Sequence, residues 1–358
     1  MNGTCHELSV GFFLNVTTFL TMPECSPSKS WSFQPMELDP IISEGNEMNL
    51  RRIRTLMVGL LTASVLFGVT GYALGLLIPT ETTVTELAPG VFFRKAQWKP
   101  EFIGCNQGWI IFDDFVLVIE ASFPNQAEEL IKEIRKTTDK PIKYVFDTHW
   151  HGDHADGNPI FITEGASAIA SESSREQFLK KGIESFDKLK QEKPKEYGAL
   201  KYGIPSVYFP KKMVLEDSRQ RVELIHFGHG HTAGDAVAWL PQHGLLFTGD
   251  SCVNGAFNYT GESNTSSWIA VLTEMAKLPV KTVCPGHGEM SDSKLLGTQR
   301  RYFVELRQAI QEGINTGKSL DEIKRTIDLP WYKEWTGASV REQTENIEHV
   351  YKELTAKT

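Results

Sequence analysis

Apolar positions fall into short runs from Val84 onward. Val84 to Gln97 and Trp109 to Glu120 (WIIFDDFVLVIE) are strand-like, and Asp113-Asp114 interrupts the second as a hairpin turn. Pro124 to Lys136 changes period, with Ala127, Leu130, Ile131 and Ile134 on one helical face. Ile142 to Asp147 is a short apolar strand that stops abruptly at a polar, histidine-rich loop. A strand near Ala166–Ala170, a helix from about Glu172 and a charged, proline-containing insertion at 180–205 follow. Strands are then expected at 213–216 and 221–227, and a hairpin pairs 236–240 with 245–248. A helix at Trp268–Lys277 leads to a strand at Val280–Cys284. Two sets of strands, each trailing helices, predict an α/β (α+β) fold of stacked sheets flanked by helices. Beyond residue 294, Tyr302, Leu306, Ile310 and Ile314, then Leu320, Ile323 and Ile327, predict two amphipathic tail helices packed on the sandwich, with a face that two copies could share.

One apolar stretch is of another kind. Leu56 to Ile78 runs 23 residues without a charge. As a helix rising about 1.5 Å per residue it would cross a hydrocarbon layer of roughly 30 Å. Arg51, Arg52 and Arg54 precede it and acids follow, so the positive-inside rule puts the N-terminus in the cytoplasm and the rest on the periplasmic or extracytoplasmic side. A cleaved signal peptide is the alternative and would leave the body secreted, but the run is long for one and offers only Gly71-Tyr72-Ala73 as a cleavage site. The expected organisation is a flexible extension at 1–47, a basic segment and transmembrane anchor at 48–80, a catalytic domain at 81–293 and a helical tail at 294–358.

Composition sharpens this division. The 358 residues carry a net charge of −8, of which the extension supplies −5 and the arginines +3, leaving −6 for the body. An acidic body lacks the basic surface that nucleic acid requires, so no nucleic-acid partner is expected. Cysteines at 5, 25, 105, 252 and 284 are odd in number and without CxxC spacing, which opposes both a disulfide framework and a cysteine zinc knuckle. The mean hydropathy of −0.26 averages the apolar run with a polar body.

The chemistry gathers at strand ends. After the strand at 142–147 comes His149-Trp150-His151-Gly152-Asp153-His154, three imidazoles and a carboxylate in six residues. These are the ligand types Zn²⁺ takes, and so many titratable groups side by side need a cation to offset their repulsion and desolvation. Their number exceeds one tetrahedral site and points to two metals. His231 in Gly-His-Thr, Asp250 in Thr-Gly-Asp and His287 in Pro-Gly-His follow later strands in the same way. His226 and His243 are better explained by packing or solvent. His229, two residues from His231, is harder to dismiss.

This set resembles the metallo-β-lactamase superfamily from about Val84 to Gly288, with the HxHxDH signature at His149, His151, Asp153 and His154 and the later motifs in order. The resemblance implies a four-layer αββα sandwich. It implies a first metal held by His149, His151 and His231, a second held by Asp153, His154 and His287, and Asp250 between them. It further implies two Zn²⁺, with iron or manganese as alternatives, and metal-assisted hydrolysis of a small-molecule ester, thioester, lactone or amide. In that reading a water shared by the two ions attacks as hydroxide, and Asp153 orients it or carries its proton. Alternatives within the fold are a class B β-lactamase, an iron-dependent oxidoreductase or dioxygenase, and a non-catalytic metal-binding module. Val253 stands where β-lactamases with a cysteine ligand place a lysine, which disfavours the first alternative. The stretch from Asn254 to Leu272 looks like that of bacterial members with unassigned substrates. It makes Asn254 and Tyr259 candidates for substrate contact, with Trp150 as a candidate cleft wall. Cys252 and Cys284 read as small apolar packing.

Overall fold

The computed structural model describes residues 82–356 apart from 97, 100 and 101. The extension at 1–47 and the apolar run at 56–78 lie outside the described residues. Among the described residues, no helix is long and apolar enough to cross a membrane.

Two sheets are stacked face to face. The larger contains β1 (Thr83–Ala88), β2 (Val91–Lys95), β5 (Gln107–Ile111), β6 (Val116–Ile119), β7 (Ile142–Phe146), β8 (Ser167–Ser171) and β9 (Val207–Phe209), neighbours in that order. Between β2 and β5 the chain forms a small separate ribbon, β3 (Trp98–Lys99) and β4 (Phe102–Ile103). The second sheet contains β10 (Lys212–Glu216), β11 (Arg221–Ile225), β12 (Val237–Leu240), β13 (Leu245–Gly249) and β14 (Thr282–Pro285). Pairing is antiparallel through β6 and parallel from β6 to β9, and in the second sheet only β13 and β14 run parallel.

The continuous apolar run at 109–119 follows from burial on both faces. Ile110, Phe112, Leu117 and Ile119 point into the core between the sheets, with Phe146, Phe247 and Leu224. Trp109, Ile111, Val116 and Val118 point the other way, under Ala127, Leu130 and Ile134 of α1 (Pro124–Thr137) and Phe161 of α2 (Asn158–Thr163). Helix α1 has proline at its first position and Arg135 and Lys136 in its last turn, which suit the helix ends. A third core lies beyond the second sheet, where Val237, Trp239 and Leu246 meet α4 (Thr265–Met275) and the tail. The layers are therefore helix, sheet, sheet, helix. Truncating Phe247 to alanine in the central core would cost about 3–5 kcal/mol.

Two regions differ from the sequence expectation. From Glu172 the chain stays helical to Glu192, through a π-turn at Phe178–Gly182 and into α3 (Ile183–Glu192), where a charged insertion was expected. Phe178 and Phe186 are buried and Phe186 packs on Tyr197 and Tyr202, so lysines and glutamates on the outer face hid an ordinary amphipathic helix. The tail has four helices instead of two: α5 (Lys294–Asn315), α6 (Leu320–Thr326), α7 (Pro330–Thr336) and α8 (Val340–Thr355). Helices α6 and α8 each begin with a capping box, Ser319 with Glu322 and Ser339 with Glu342. Tyr302, Phe303, Tyr332, Ile347 and Val350 of the tail share one core with Trp268 and Leu272, so the tail is part of the sandwich's outer layer.

Candidate metal centre

The loop after β7 turns back as a single helical turn, Gly152–Ala155, which points His149, His151, Asp153 and His154 toward the same space. His231 comes from the loop between β11 and β12, and Asp250 and His287 from the ends of the parallel strands β13 and β14. All seven residues come together. Their donor atoms form three overlapping groups able to hold a metal ion: His149, His151 and His231; His149, His154 and Asp250; and Asp153, His154 and His287.

Within the first group His151 Nδ1 lies 3.1 Å from His149 Nε2 and 2.9 Å from His231 Nε2. In the last, Asp153 Oδ2 lies 3.3 Å from His154 Nε2 and 3.2 Å from His287 Nε2. Asp250 stands between them, with Oδ1 at 3.4 Å from both His154 and His287 and Oδ2 at 3.7 Å from His231. Gly249 permits this approach: its φ is 49°, and a Cβ there would collide with the Thr148 hydroxyl.

The outward nitrogens are held just as specifically. His149 Nδ1 pairs with Thr148 Oγ1 at 3.1 Å, and that hydroxyl donates to Glu120 Oε1 at 2.6 Å. His231 Nδ1 donates to Tyr259 O at 3.0 Å and His287 Nδ1 to Gly104 O at 3.2 Å. With a hydrogen bond fixing the outer nitrogen, each of these rings turns its inner nitrogen toward the cluster, the orientation metal-binding histidines require. His151 is reversed: Nδ1 faces inward, and Nε2 lies 3.7 Å from Glu262 Oε2.

Electrostatics fit a cation. Burial and the neighbouring His151 lower His231 to about 4, and burial with nearby His154 holds His149 well below its ordinary value, so both are neutral donors. Burial alone would raise Asp153 and Asp250, but His154 and His287 outweigh it and keep both carboxylates ionised. His287 is correspondingly raised to about 10, burial being overcome by Asp250 and Asp153. Asp250 Oδ1 and His154 Nε2 are buried without a satisfying hydrogen bond and face each other at 3.4 Å. Protons on His154 and His287 thus stand where a dication would neutralise the same carboxylates, and the donor set fits metal ions.

Of the three expected substrate contacts, Tyr259 is 46% exposed, with its ring centroid 6.2 Å from that of His151. Trp150 is buried against the His151 ring and donates Nε1 to Glu262 Oε2 at 3.0 Å. The Asn254 amide is engaged at both ends, donating to Glu289 O and accepting from Trp335 Nε1, so it ties a metal loop to the tail. His229 donates to Glu262 O at 2.8 Å, and His226 pairs with Asp235 O, so both have protein partners. Cys252 and Cys284 are buried with their thiols pushed up by burial, consistent with packing.

Two residues went unnoticed in the sequence. Glu120 closes β6 as an inconspicuous acid, and its backbone adopts φ 68°. Glu262 also receives Lys181 Nζ at 2.9 Å, and burial notwithstanding, His151 and Lys181 hold its carboxyl down at about 2. It had a signal: Glu262 is the single charge between Asp250 and Glu274.

A family model described as the metallo-beta-lactamase superfamily matches residues 101–287, just over half of the chain. A type 2 metallo-beta-lactamase of Bacillus sp. (strain 170) is 25% identical over 188 residues, 51% of this chain and 65% of that protein. A linear primary-alkylsulfatase of a Pseudomonas species is 20% identical over 281 residues, 68% of this chain and 53% of that protein. The chain thus spans about two thirds or less of these relatives' own length. A solved metallo-beta-lactamase from Pontibacter korlensis superposes with a TM-score of 0.52 at 22% identity, covering 62% of this chain and 99% of that one.

Proposed function

This chain belongs to the metallo-beta-lactamase superfamily, and on that footing we propose that it is a hydrolase holding two zinc ions and cleaving a small ester, thioester, lactone or amide. The observation that supports this best is the position of Asp250, shared between a histidine group and an Asp153-containing group. His149, His151 and His231 would hold one ion, and Asp153, His154 and His287 the other. When bound, such ions supply Lewis-acid polarisation of the scissile bond and activation of water near neutral pH.

The chain's own residues do the rest. Asp153, ionised and about a quarter exposed, is the carboxylate placed to orient a water molecule and hold its proton. Tyr259 and Trp150 flank the His151 ring and form one wall of the approach. Lys181 and Glu262 join the π-turn to the loop at 254–264 at its rim. Val253 is buried, so this position offers no cation to a substrate carboxylate.

The test is metal analysis of the full chain together with a panel of esters, thioesters, lactones, amides, β-lactams and alkyl sulfates. About two zinc ions per chain and turnover lost at least 100-fold in Asp153→Asn are expected. A zinc-free protein, or a His149→Ala variant that hydrolyses as well as wild type, overturns the reading. β-Lactams or alkyl sulfates as best substrates would move it toward the named relatives. Residues 56–78 are proposed to anchor the body to a membrane, supported by their apolar length and the preceding arginines. Recovery of the whole chain in a salt-washed supernatant would exclude this.

A further inference from the structure

The loop over the cluster is held from behind by the tail. Asn346 of α8, 1% exposed, donates Nδ2 to Asn258 O at 2.7 Å and to the Tyr302 hydroxyl at 2.8 Å. Its Oδ1 accepts from Thr260 Oγ1 at 2.7 Å. The Tyr332 hydroxyl of α7 accepts from Asn258 N at 3.0 Å. Residues 258 and 260 are therefore clamped from two tail helices. Between them, Tyr259 turns its ring outward and its carbonyl accepts the Nδ1 proton of His231.

Two further ties border this clamp. Trp335 bonds Asn254 at one end of the loop, and Glu353, itself bound by Arg307, accepts from Thr265 N and Oγ1 at the other. The buried amide of Asn346 satisfies three partners at once, and a side chain so fully committed fixes the main chain it holds. A carbonyl fixed in this way sets both the tautomer and the ring direction of the histidine that donates to it.

We propose that Asn346 is a positioning residue for the metal centre, acting through Thr260, Asn258 and the Tyr259 carbonyl on His231. The helical tail is then a working part of the site, beyond its contribution to the core. The inference rests on the metal reading above.

The test uses the full-length protein and measures stepwise Zn²⁺ affinity by competition with a chromophoric chelator. Asn346→Ala is expected to weaken one of the two binding steps up to about 10-fold, the lower end of what losing a direct outer partner of a metal-binding histidine costs, and to leave the other within about two-fold. The His231 Nδ1 proton should exchange faster with solvent by NMR. Val350→Ala on the same helix removes buried core and takes no part in these hydrogen bonds, so it controls for destabilisation. Thr260→Val deletes a single hydrogen bond at constant volume, expects a smaller loss in the same step, and carries the test if Asn346→Ala does not fold. Unchanged affinities in both Asn346→Ala and Thr260→Val, or an equal loss in Val350→Ala, overturn the proposal and leave the metal reading standing. A wild-type chain that binds no zinc overturns the metal reading itself.

Discussion

Glu120 Oε1 stands 3.2 Å from His154 Nδ1, and neither side chain is open to water. The same oxygen accepts from Thr148, which in turn pairs with His149. One carboxylate thus touches, directly or through Thr148, an imidazole of each of the three residue groups, and its backbone is left-handed, at a cost of about 1–2 kcal/mol.

If the cluster holds two metals as proposed, replacing Glu120 should disturb both together. Glu120→Gln is expected to lower zinc affinity about 10–100-fold in each binding step. Glu120→Ala should in addition cost about 3–5 kcal/mol of stability, since it leaves a buried His154 without its partner. Chelator competition and urea unfolding measure the two effects, and loss confined to one step would show that Glu120 serves a single group.

Glu262 invites a different prediction, because it joins separate chain segments at the rim. It receives Trp150 and Lys181 and faces His151. Glu262→Ala should free the loop at 254–264 and speed its cleavage by a limiting amount of protease several-fold, with Tm falling by only a few degrees. Unchanged cleavage would reduce the Lys181 pair to one of the many exposed ion pairs worth about 0–1 kcal/mol.

Stability should respond to pH through the tail. His349 is raised above its ordinary value, mainly by its bond to Glu353, and Glu353 is lowered because His349 and Thr265 outweigh its burial. A raised histidine stabilises fully below its unfolded value of about 6.5 and loses that contribution as pH climbs through its folded value. The lowered Glu353 stabilises above about 4.3 and loses its share as pH falls. Tail anchoring is therefore strongest between about pH 4.5 and 6.5. In His349→Gln the fall in urea midpoint should be largest in that window and shrink above it.

Metal removal should destabilise the whole sandwich. A ligand at 100 times its Kd stabilises the native state by about 2.7 kcal/mol per site. For a body of this size that corresponds to a Tm lower by about 5–10 °C after dialysis against chelator for each site emptied. Restoring Zn²⁺ should recover it, and a Tm indifferent to chelator would contradict binding by all three groups.

Much of this was readable from residues alone. Trp109 to Ile119 announces a strand pair because burial on both faces makes both strands apolar around the Asp113-Asp114 turn, and the five histidines and two aspartates at strand ends announce themselves by residue type and spacing. Helices α7 and α8 were hidden because their apolar content is spread over Trp331, Tyr332, Trp335, Ile347 and Val350, although Ser339 and Glu342 mark a start. The supporting residues were hidden for another reason. Glu120, Glu262 and Asn346 are ordinary polar residues locally, and only contacts across 28 to 112 positions of chain give them their roles.

The parallel pair β13 and β14 has a further consequence. His149, His151, Asp153 and His154 belong to one sheet, and His231, Asp250 and His287 to the other. A strand advances about 3.3 Å per residue, and neighbouring donor atoms in the cluster are 2.9 to 3.7 Å apart. Sliding one sheet against the other by a single residue would displace the donors of one sheet from those of the other by about the distance that now separates neighbours in the cluster. The cluster works as a vernier between the two sheets, bringing its donors into register in one alignment, and a mutation in the central core, far from any ligand, can be read out as a change in metal affinity.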